Sequence, residues 1–155
     1  MYNVLKRKFE EGDLVYVVDY WKSNVTQTFS VFAEIIQVDN KTKTFTAVLN
    51  GNTFRTYSFK DYGRLIFNTL DEANKAVKSF PKAKKTVYQI INQKIYRRTV
   101  ERISGYSTDI GFDLVLYLDN GKRISTKELG HSLFIKKSDA KKKNKKRRNK
   151  LVNWL

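Results

Sequence analysis

The chain has 155 residues, of which 41% are hydrophobic and 14% aromatic, enough for the core of one ordinary domain or of two very small ones. It contains no cysteine, which excludes a disulfide framework, a thiol nucleophile and a cysteine-based zinc site. Lysine and arginine number 31 against 15 acidic residues, so the formal net charge is +16 and attraction to polyanions is expected. The absence of cysteine, of a signal-like apolar segment and of a membrane-length apolar run fits a cytoplasmic location.

The first half of the chain predicts short strands. Residues 14–21 alternate with a period of two, and residues 29–38 and 45–49 are rich in β-branched and aromatic side chains. Asn50-Gly51 follows the last of these runs and predicts a tight hairpin. We therefore expect an antiparallel arrangement in this half.

A helix is predicted to close this first set of strands. Thr69 and Glu72 have the spacing of a capping box, in which each side chain satisfies an amide at the start of the helix. An apolar stripe follows, and Pro81 is expected to end the helix. Residues 78–85 then form a short basic connector.

The second half of the chain repeats the first. Residues 57–73 and 124–140 align without a gap, and Asn120-Gly121 supplies the same turn as Asn50-Gly51. A period near 67 residues is too long for a solenoid and suits a duplicated small domain. The identical pairs are Ser58 and Ser125, Lys60 and Lys127, Gly63 and Gly130, Phe67 and Phe134, and Ala73 and Ala140.

These patterns predict a mainly β, α+β protein made of two duplicated small antiparallel barrels of the SH3 or Tudor kind. The expected divisions are a first β module with its closing helix in residues 1–80, a second β module in 81–137 and a basic C-terminal helix or tail in 138–155. The rival arrangement is a single mixed sheet built from both copies.

The segment SFKDYGRLIFNTLDEANKAV resembles a recurrent ending of short, uncharacterised proteins from Gram-positive phages and mobile elements. There a strand runs into a helix start that contains a Leu-Gly pair, a Val-Phe pair, a threonine and two glutamates. The resemblance implies origin, and many such products are regulatory or anti-defence factors, including inhibitors of CRISPR effector nucleases. The matching residues are Tyr62, Gly63, Ile66, Phe67, Thr69, Asp71, Glu72 and Ala73, and in part Leu129, Gly130, Leu133, Phe134 and Ala140.

Residues 136–150 hold ten basic residues and one acidic residue. Three interpretations stay open: a phosphate-binding arm that gains affinity by releasing counterions, a solubilising disordered tail, and a membrane-surface anchor, which is the least favoured. A helix that begins near Ser138 runs into this segment and could continue to Leu155, but repulsion among its cations opposes this, and the alternative is a helix that forms only on an anionic partner. The candidate binding residues here are Lys141, Lys142, Lys143, Lys145, Lys146, Arg147, Arg148 and Trp154.

Two further groups combine aromatic and basic side chains, the composition of surfaces that stack bases and neutralise phosphates. The first is Tyr20, Trp21 and Lys22, where one ring is expected to face solvent. The second lies on one strand, where Tyr96, Arg98 and Arg102 are predicted on one face and Arg97 on the other. Structural aromatics and solvated edge charges are the alternative for both groups. Arg55, Lys122 and Arg123 could extend the basic surface.

No catalytic, metal or cofactor site is predicted. His131 is the only histidine, and no nucleophile motif or phosphate-binding glycine loop is present. We expect a non-enzymatic protein that binds DNA, RNA or a host nucleoprotein through its basic surface. The alternative is an inhibitor of a host RNA-guided nuclease, and the sequence does not predict the oligomeric state.

Overall fold

The computed structural model describes residues 9–20, 28–108 and 110–154, with side chains through Leu151. The described chain is mainly β, with two five-stranded antiparallel sheets and two α-helices, which confirms the predicted α+β class. The elements in chain order are β1 (Leu14–Tyr20), β2 (Thr28–Asp39), β3 (Thr44–Leu49), β4 (Thr53–Ser58), β5 (Ile66–Phe67), α1 (Leu70–Ser79), β6 (Thr86–Ile91), β7 (Lys94–Thr108), β8 (Gly111–Leu118), β9 (Arg123–Ser125), β10 (Leu133–Phe134) and α2 (Lys137–Trp154).

The two sheets have the same strand order. The first runs β4-β3-β2-β1-β5, and the second, taken in the same sense, runs β9-β8-β7-β6-β10. The last strand of each sheet is also paired in the same way. Tyr16 of β1 lies opposite Phe67 of β5, and Tyr88 of β6 lies opposite Phe134 of β10. The single mixed sheet is therefore wrong, and no closed barrel is found within the described residues.

The chain forms two compact units. Of the described residues, the first unit contains 9–19, Thr28–Phe80 and the described part of Gly105–Asp113. The second contains Tyr20, Pro81–Ser104 and 114–154. The strands β1, β7 and β8 therefore contribute residues to both units.

The repeated residues build the same local structure twice. Ser58 and Ser125 each cap a short 3-10 turn by accepting a hydrogen bond from the amide two residues later, at 3.2 and 3.0 Å. Gly63 and Gly130 then adopt φ values of +87° and +85°, which a residue with a Cβ adopts only under strain. Each of these glycine amides donates to a carbonyl three residues ahead at 2.8 Å. The sequence repeat thus marks a turn that leads the chain into the closing strand.

The helix α1 begins at the predicted N-cap, Thr69, and ends before Pro81 as predicted, but only one of the two hydrogen bonds of the capping box forms. The hydroxyl of Thr69 accepts a hydrogen bond from the Glu72 amide at 3.2 Å. The same hydroxyl donates to the Glu72 carboxylate at 3.0 Å, so the side chain of Glu72 returns to the Thr69 side chain rather than to its amide. The helix stops at Ser79, two residues before Pro81.

Each unit has its own apolar core. In the first, Phe9 packs against Phe45 and Phe59, with ring centroids 4.6 and 5.1 Å apart. In the second, aliphatic side chains from four strands form the core, and the half-buried ring of Tyr20 packs on it. The buried members of this second cluster are Val87, Val100, Ile103, Leu116, Leu118 and Leu133.

Candidate nucleic-acid interface

The positive charge of the protein is concentrated in one unit. Among the described residues, the first unit has seven basic and ten acidic side chains, whereas the second has twenty basic and four acidic ones. Even if every acid of the second unit were paired with one cation, sixteen positive charges would remain. Two units with the same strand order therefore differ sharply in their electrostatics.

Helix α2 is docked on the second unit by one of its sides. Ala140 is fully buried and packs with Ile90 and Phe134. The buried side chain of Asn144 donates through Nδ2 to the carbonyl of Gln93 at 2.9 Å. Arg147 donates to the carbonyl of His131. These contacts hold the predicted basic tail as an ordered helix against the sheet.

The docked side leaves most cations of α2 at the surface. Residues 140, 144 and 147 follow the i, i+4, i+7 spacing of one helix face, so the remaining positions turn away from the sheet. Lys143 and Arg147 are half-buried. The predicted binding residues that are exposed on α2 are Lys141, Lys142, Lys145, Lys146 and Arg148, and Lys137 and Lys150 join them.

The strand registers place three arginines on the side of the sheet away from its core. Arg97 lies opposite Tyr88, which packs with the Ile90 and Ala140 cluster under α2. Arg123 lies opposite Tyr117, whose neighbours Leu116 and Leu118 both point into the core. Because directly opposed residues share a face, both arginines lie on this outer face. Both are exposed.

Arg102 belongs to the same outer face. Val100 and Ile103 both enter the core although they are three positions apart, so the alternation of faces in β7 is interrupted between them. Arg102 therefore points away from the core, where its guanidinium carbon lies 3.6 Å from the ring centroid of Tyr117. The predicted grouping of Arg102 with Tyr96 and Arg98 is wrong for this reason. The outer face of the second sheet is defined here by Arg97, Arg102, Tyr117 and Arg123.

Tyr96 and Arg98 do share a face, as predicted. The guanidinium carbon of Arg98 lies 5.1 Å from the ring centroid of Tyr96, and its Nε donates to Gln89 Oε1 at 3.2 Å. Tyr96 is 38% exposed, and Arg98 is half-buried. This pair lies on the opposite side of β7 from Arg97, so it forms a separate, smaller basic and aromatic patch.

Two predicted site residues are used internally instead. Tyr20 packs on the core of the second unit, where its ring is half-buried. Arg55 is held by Asp19, lies with its guanidinium carbon 4.1 Å from the ring centroid of Phe112, and has a side chain only 8% exposed. Neither residue adds to the basic surface in the way the sequence suggests. Trp21, Lys22 and the side chain of Trp154 lie outside the described residues.

The remaining predicted residues fall where the sequence places them. Lys122 and Arg123 are exposed around the turn between β8 and β9. His131 is exposed in the turn before β10, and its carbonyl accepts the bond from Arg147.

Within residues 9–20, 28–108 and 110–154, no three histidine, aspartate or glutamate side chains gather where a metal ion could be held. In the same part of the chain, neither helix is both long and apolar enough to cross a lipid bilayer.

Sequence reasoning missed Tyr117 and Asn144. Tyr117 orients Arg102, and Asn144 fixes α2 to the turn between β6 and β7. That turn carries positive φ at both Asn92 and Gln93, as a two-residue hairpin requires. The asparagine within a run of lysines was the available signal, because a neutral residue there is expected to face the body of the protein.

No protein-family model matches the chain, and no curated protein sequence matches it significantly.

Proposed function

We propose that this protein is a non-enzymatic binding protein that holds nucleic acid, alone or within a nucleoprotein, on the basic surface of its second unit. The observation that carries the proposal is the distribution of charge, twenty basic against four acidic side chains in that unit. Such an excess of positive charge destabilises a compact fold because like charges repel. Bound phosphates reduce this repulsion when they replace the mobile counterions.

The arrangement of the cations supports contact with the nucleic-acid backbone. Exposed lysines on α2 and exposed arginines on the outer face lie on the same side of the second sheet. Lysine on a flexible stem contacts phosphate as a point charge, whereas an arginine held flat against a ring presents a fixed set of donors. Contacts of this kind position a protein on nucleic acid and carry little sequence information.

The shared strand order supports a further part of the proposal, that the two units arose from one duplicated module of the SH3 or Tudor type with an open sheet. In this view one copy kept a nearly balanced charge and the other became the binding unit. Nucleic acid or a nucleoprotein of the host bacterium as partner implies action in the cytoplasm.

Binding of the full chain to a fluorescently labelled 20-mer tests the proposal. We expect the affinity to fall linearly with salt on a log–log plot, with a slope of roughly −0.9 for each duplex phosphate contacted. The triple variant R97Q/R102Q/R123Q should bind more weakly and with a shallower slope. The control is K41Q/K60Q/K78Q, which removes three exposed cations from the first unit and should bind as the wild type does. A flat salt response, or equal losses in both variants, would contradict the proposal.

A second candidate function is inhibition of a host RNA-guided nuclease, and it rests on the first unit. Leu14, Phe54 and Ile110 are 56%, 69% and 63% exposed there, in a unit whose acidic side chains outnumber the basic ones. Such side chains suit contact with a protein better than contact with phosphate. The resemblance of residues 58–77 to a segment of phage and mobile-element proteins agrees with this alternative.

Capture from a host lysate treated with DNase and RNase separates the two functions. Loss of all bound material after digestion favours direct nucleic-acid binding. Retention of one stoichiometric protein whose RNA-guided cleavage of DNA falls as the chain is added favours the inhibitor. In that case F54S should weaken the inhibition, while K41Q/K60Q/K78Q should leave it unchanged.

A further inference from the structure

The exposed cations of α2 form two rows along the helix. Lys137, Lys141, Lys145 and Arg148 make up the first row, roughly 100° round from the buried side that holds Ala140 and Asn144. Lys142, Lys146 and Lys150 make up the second row, roughly 240° round from Ala140, which is about 120° in the opposite direction. The two rows therefore flank the part of the helix that projects furthest from the sheet.

The surface of α2 between these two rows, which faces away from the sheet, is polar. Ser138 and Asn149 are exposed there, and residues 137–151 contain no aromatic side chain. Asp139 is the single acidic residue of that segment and lies in the first turn, on the same side of the helix as the second row, where its carboxylate interacts favourably with the positive end of the helix dipole. A helix with this surface offers charge on two sides and hydrogen-bonding groups between them.

The dimensions of the two rows match the major groove of B-form DNA. A helix with its side chains is about 10–12 Å across, and the groove is about 12 Å wide with a phosphate row on each side. The rows extend over residues 137–150, which is about 20 Å at 1.5 Å per residue. At about 3.4 Å per base pair on each strand, this length covers roughly six base pairs.

We propose that α2 enters the major groove of double-stranded DNA and that its two rows of cations contact the two phosphate backbones that border the groove. This inference rests on the proposed function and specifies the ligand of the same surface. Single strands are disfavoured because their binding relies on aromatic stacking, which the described side chains of α2, residues 137–151, do not offer. Duplex RNA is disfavoured because its major groove is deep and narrow.

The test measures binding of the full chain to duplex DNA, single-stranded DNA and duplex RNA of one sequence at the same salt concentration. We expect the tightest binding to duplex DNA, competition by methyl green in the major groove, and little competition by distamycin in the minor groove. The variant K142Q/K146Q/K150Q removes the three positive charges of the second row and should lose affinity for duplex DNA by a factor on the order of ten or more. Its salt slope should be shallower by about three.

The control K41Q/K60Q/K78Q lowers the net charge by the same amount in the first unit and should bind as the wild type does. Circular dichroism should show equal helix content in both variants, since glutamine and lysine have similar helix propensity. Equal or tighter binding to single-stranded DNA or duplex RNA, or competition by distamycin alone, would overturn the major-groove inference and leave the proposed function standing. Failure to bind any of the three nucleic acids at low salt would overturn both.

Discussion

Arg102 and Tyr117 form a stacked pair on the outer face of the second sheet, with the guanidinium carbon 3.6 Å from the ring centroid. The two residues come from β7 and β8, so only the paired sheet brings them together. Packing against the ring limits the rotamers that the arginine can adopt. A cation that is already oriented loses less conformational entropy when it meets a phosphate.

The first prediction concerns this pair. R102A should reduce the salt slope of nucleic-acid binding by about one, since one phosphate contact is removed. R102K should keep most of the slope, because the charge remains, but should bind more weakly because an ammonium lacks the planar stack. Fluorescence anisotropy over a range of salt concentrations checks both. If R102K and wild type have equal affinity, the stack does not orient the cation.

The second prediction concerns Gly111 at the start of β8, in the first unit. A Cβ built there would lie 3.0 Å from the Ser58 amide nitrogen and 3.2 Å from the Thr56 carbonyl oxygen, and the φ of Gly111 is +127°. G111A should therefore lower the free energy of unfolding by roughly 2–4 kcal/mol, through backbone strain and crowding together. Urea denaturation measures the change.

Gly121 provides the matched control for this substitution. Its φ is +81°, but a Cβ there would have no neighbour within 4 Å. G121A should cost only the strain of the left-handed backbone, about 1–2 kcal/mol. If G111A and G121A lower the free energy of unfolding equally, β4 shifts to make room for the added Cβ at position 111.

The local structure was largely predictable because it depends on short-range chemistry. The cap at Thr69, the end of α1 before Pro81 and the two repeated turns follow from residues a few positions apart. The duplicated pattern predicted two similar sets of strands, and the shared strand order of the two sheets agrees with it. The ordered docking of α2 was less predictable, since the repulsion among its lysines argues against a helix.

The composition of the basic surface was less predictable because it depends on register and on partners distant in sequence. An interruption in β7 moves Arg102 to the other face, and no single-strand pattern reveals it. Arg55 looks like a surface cation until Asp19, thirty-six positions away, is placed beside it. In β8 the apolar residues Phe112, Leu114, Leu116 and Leu118 alternate with the others, a pattern typical of a strand with one solvent-facing side, yet Asp113 is buried, where Arg64 pairs with it.

The third prediction concerns Arg64, which lies between two buried carboxylates of the first unit. One of its terminal nitrogens lies 2.7 Å from Asp61 Oδ1 and 2.9 Å from Asp113 Oδ1. R64M would leave both carboxylates without this cation and should cost about 3–5 kcal/mol of unfolding free energy. D113N leaves the Asp61 pair in place and should cost less, about 1–3 kcal/mol. Urea denaturation of both variants checks the order, and a larger loss in D113N would contradict it.

The fourth prediction concerns Tyr57, whose side chain is fully buried in the first unit. Burial raises the pKa of its hydroxyl well above the ordinary value of about 10, and the nearby Arg55 guanidinium only partly opposes this shift. Below pH 10 the hydroxyl is protonated in both the folded and the unfolded chain. Above that pH the unfolded chain releases the proton while the folded chain retains it, so stability falls as the pH rises.

The fall due to Tyr57 should approach about 1.4 kcal/mol for each pH unit above 10, until the folded state also ionises. Urea denaturation at pH 8, 9, 10 and 11 measures it. Y57F is the reference that isolates the effect of this one hydroxyl. The difference in unfolding free energy between wild type and Y57F should be constant up to pH 9 and should shift in favour of Y57F at pH 11. Parallel pH profiles for the two proteins would show that the Tyr57 hydroxyl ionises as readily in the folded chain as in the unfolded one.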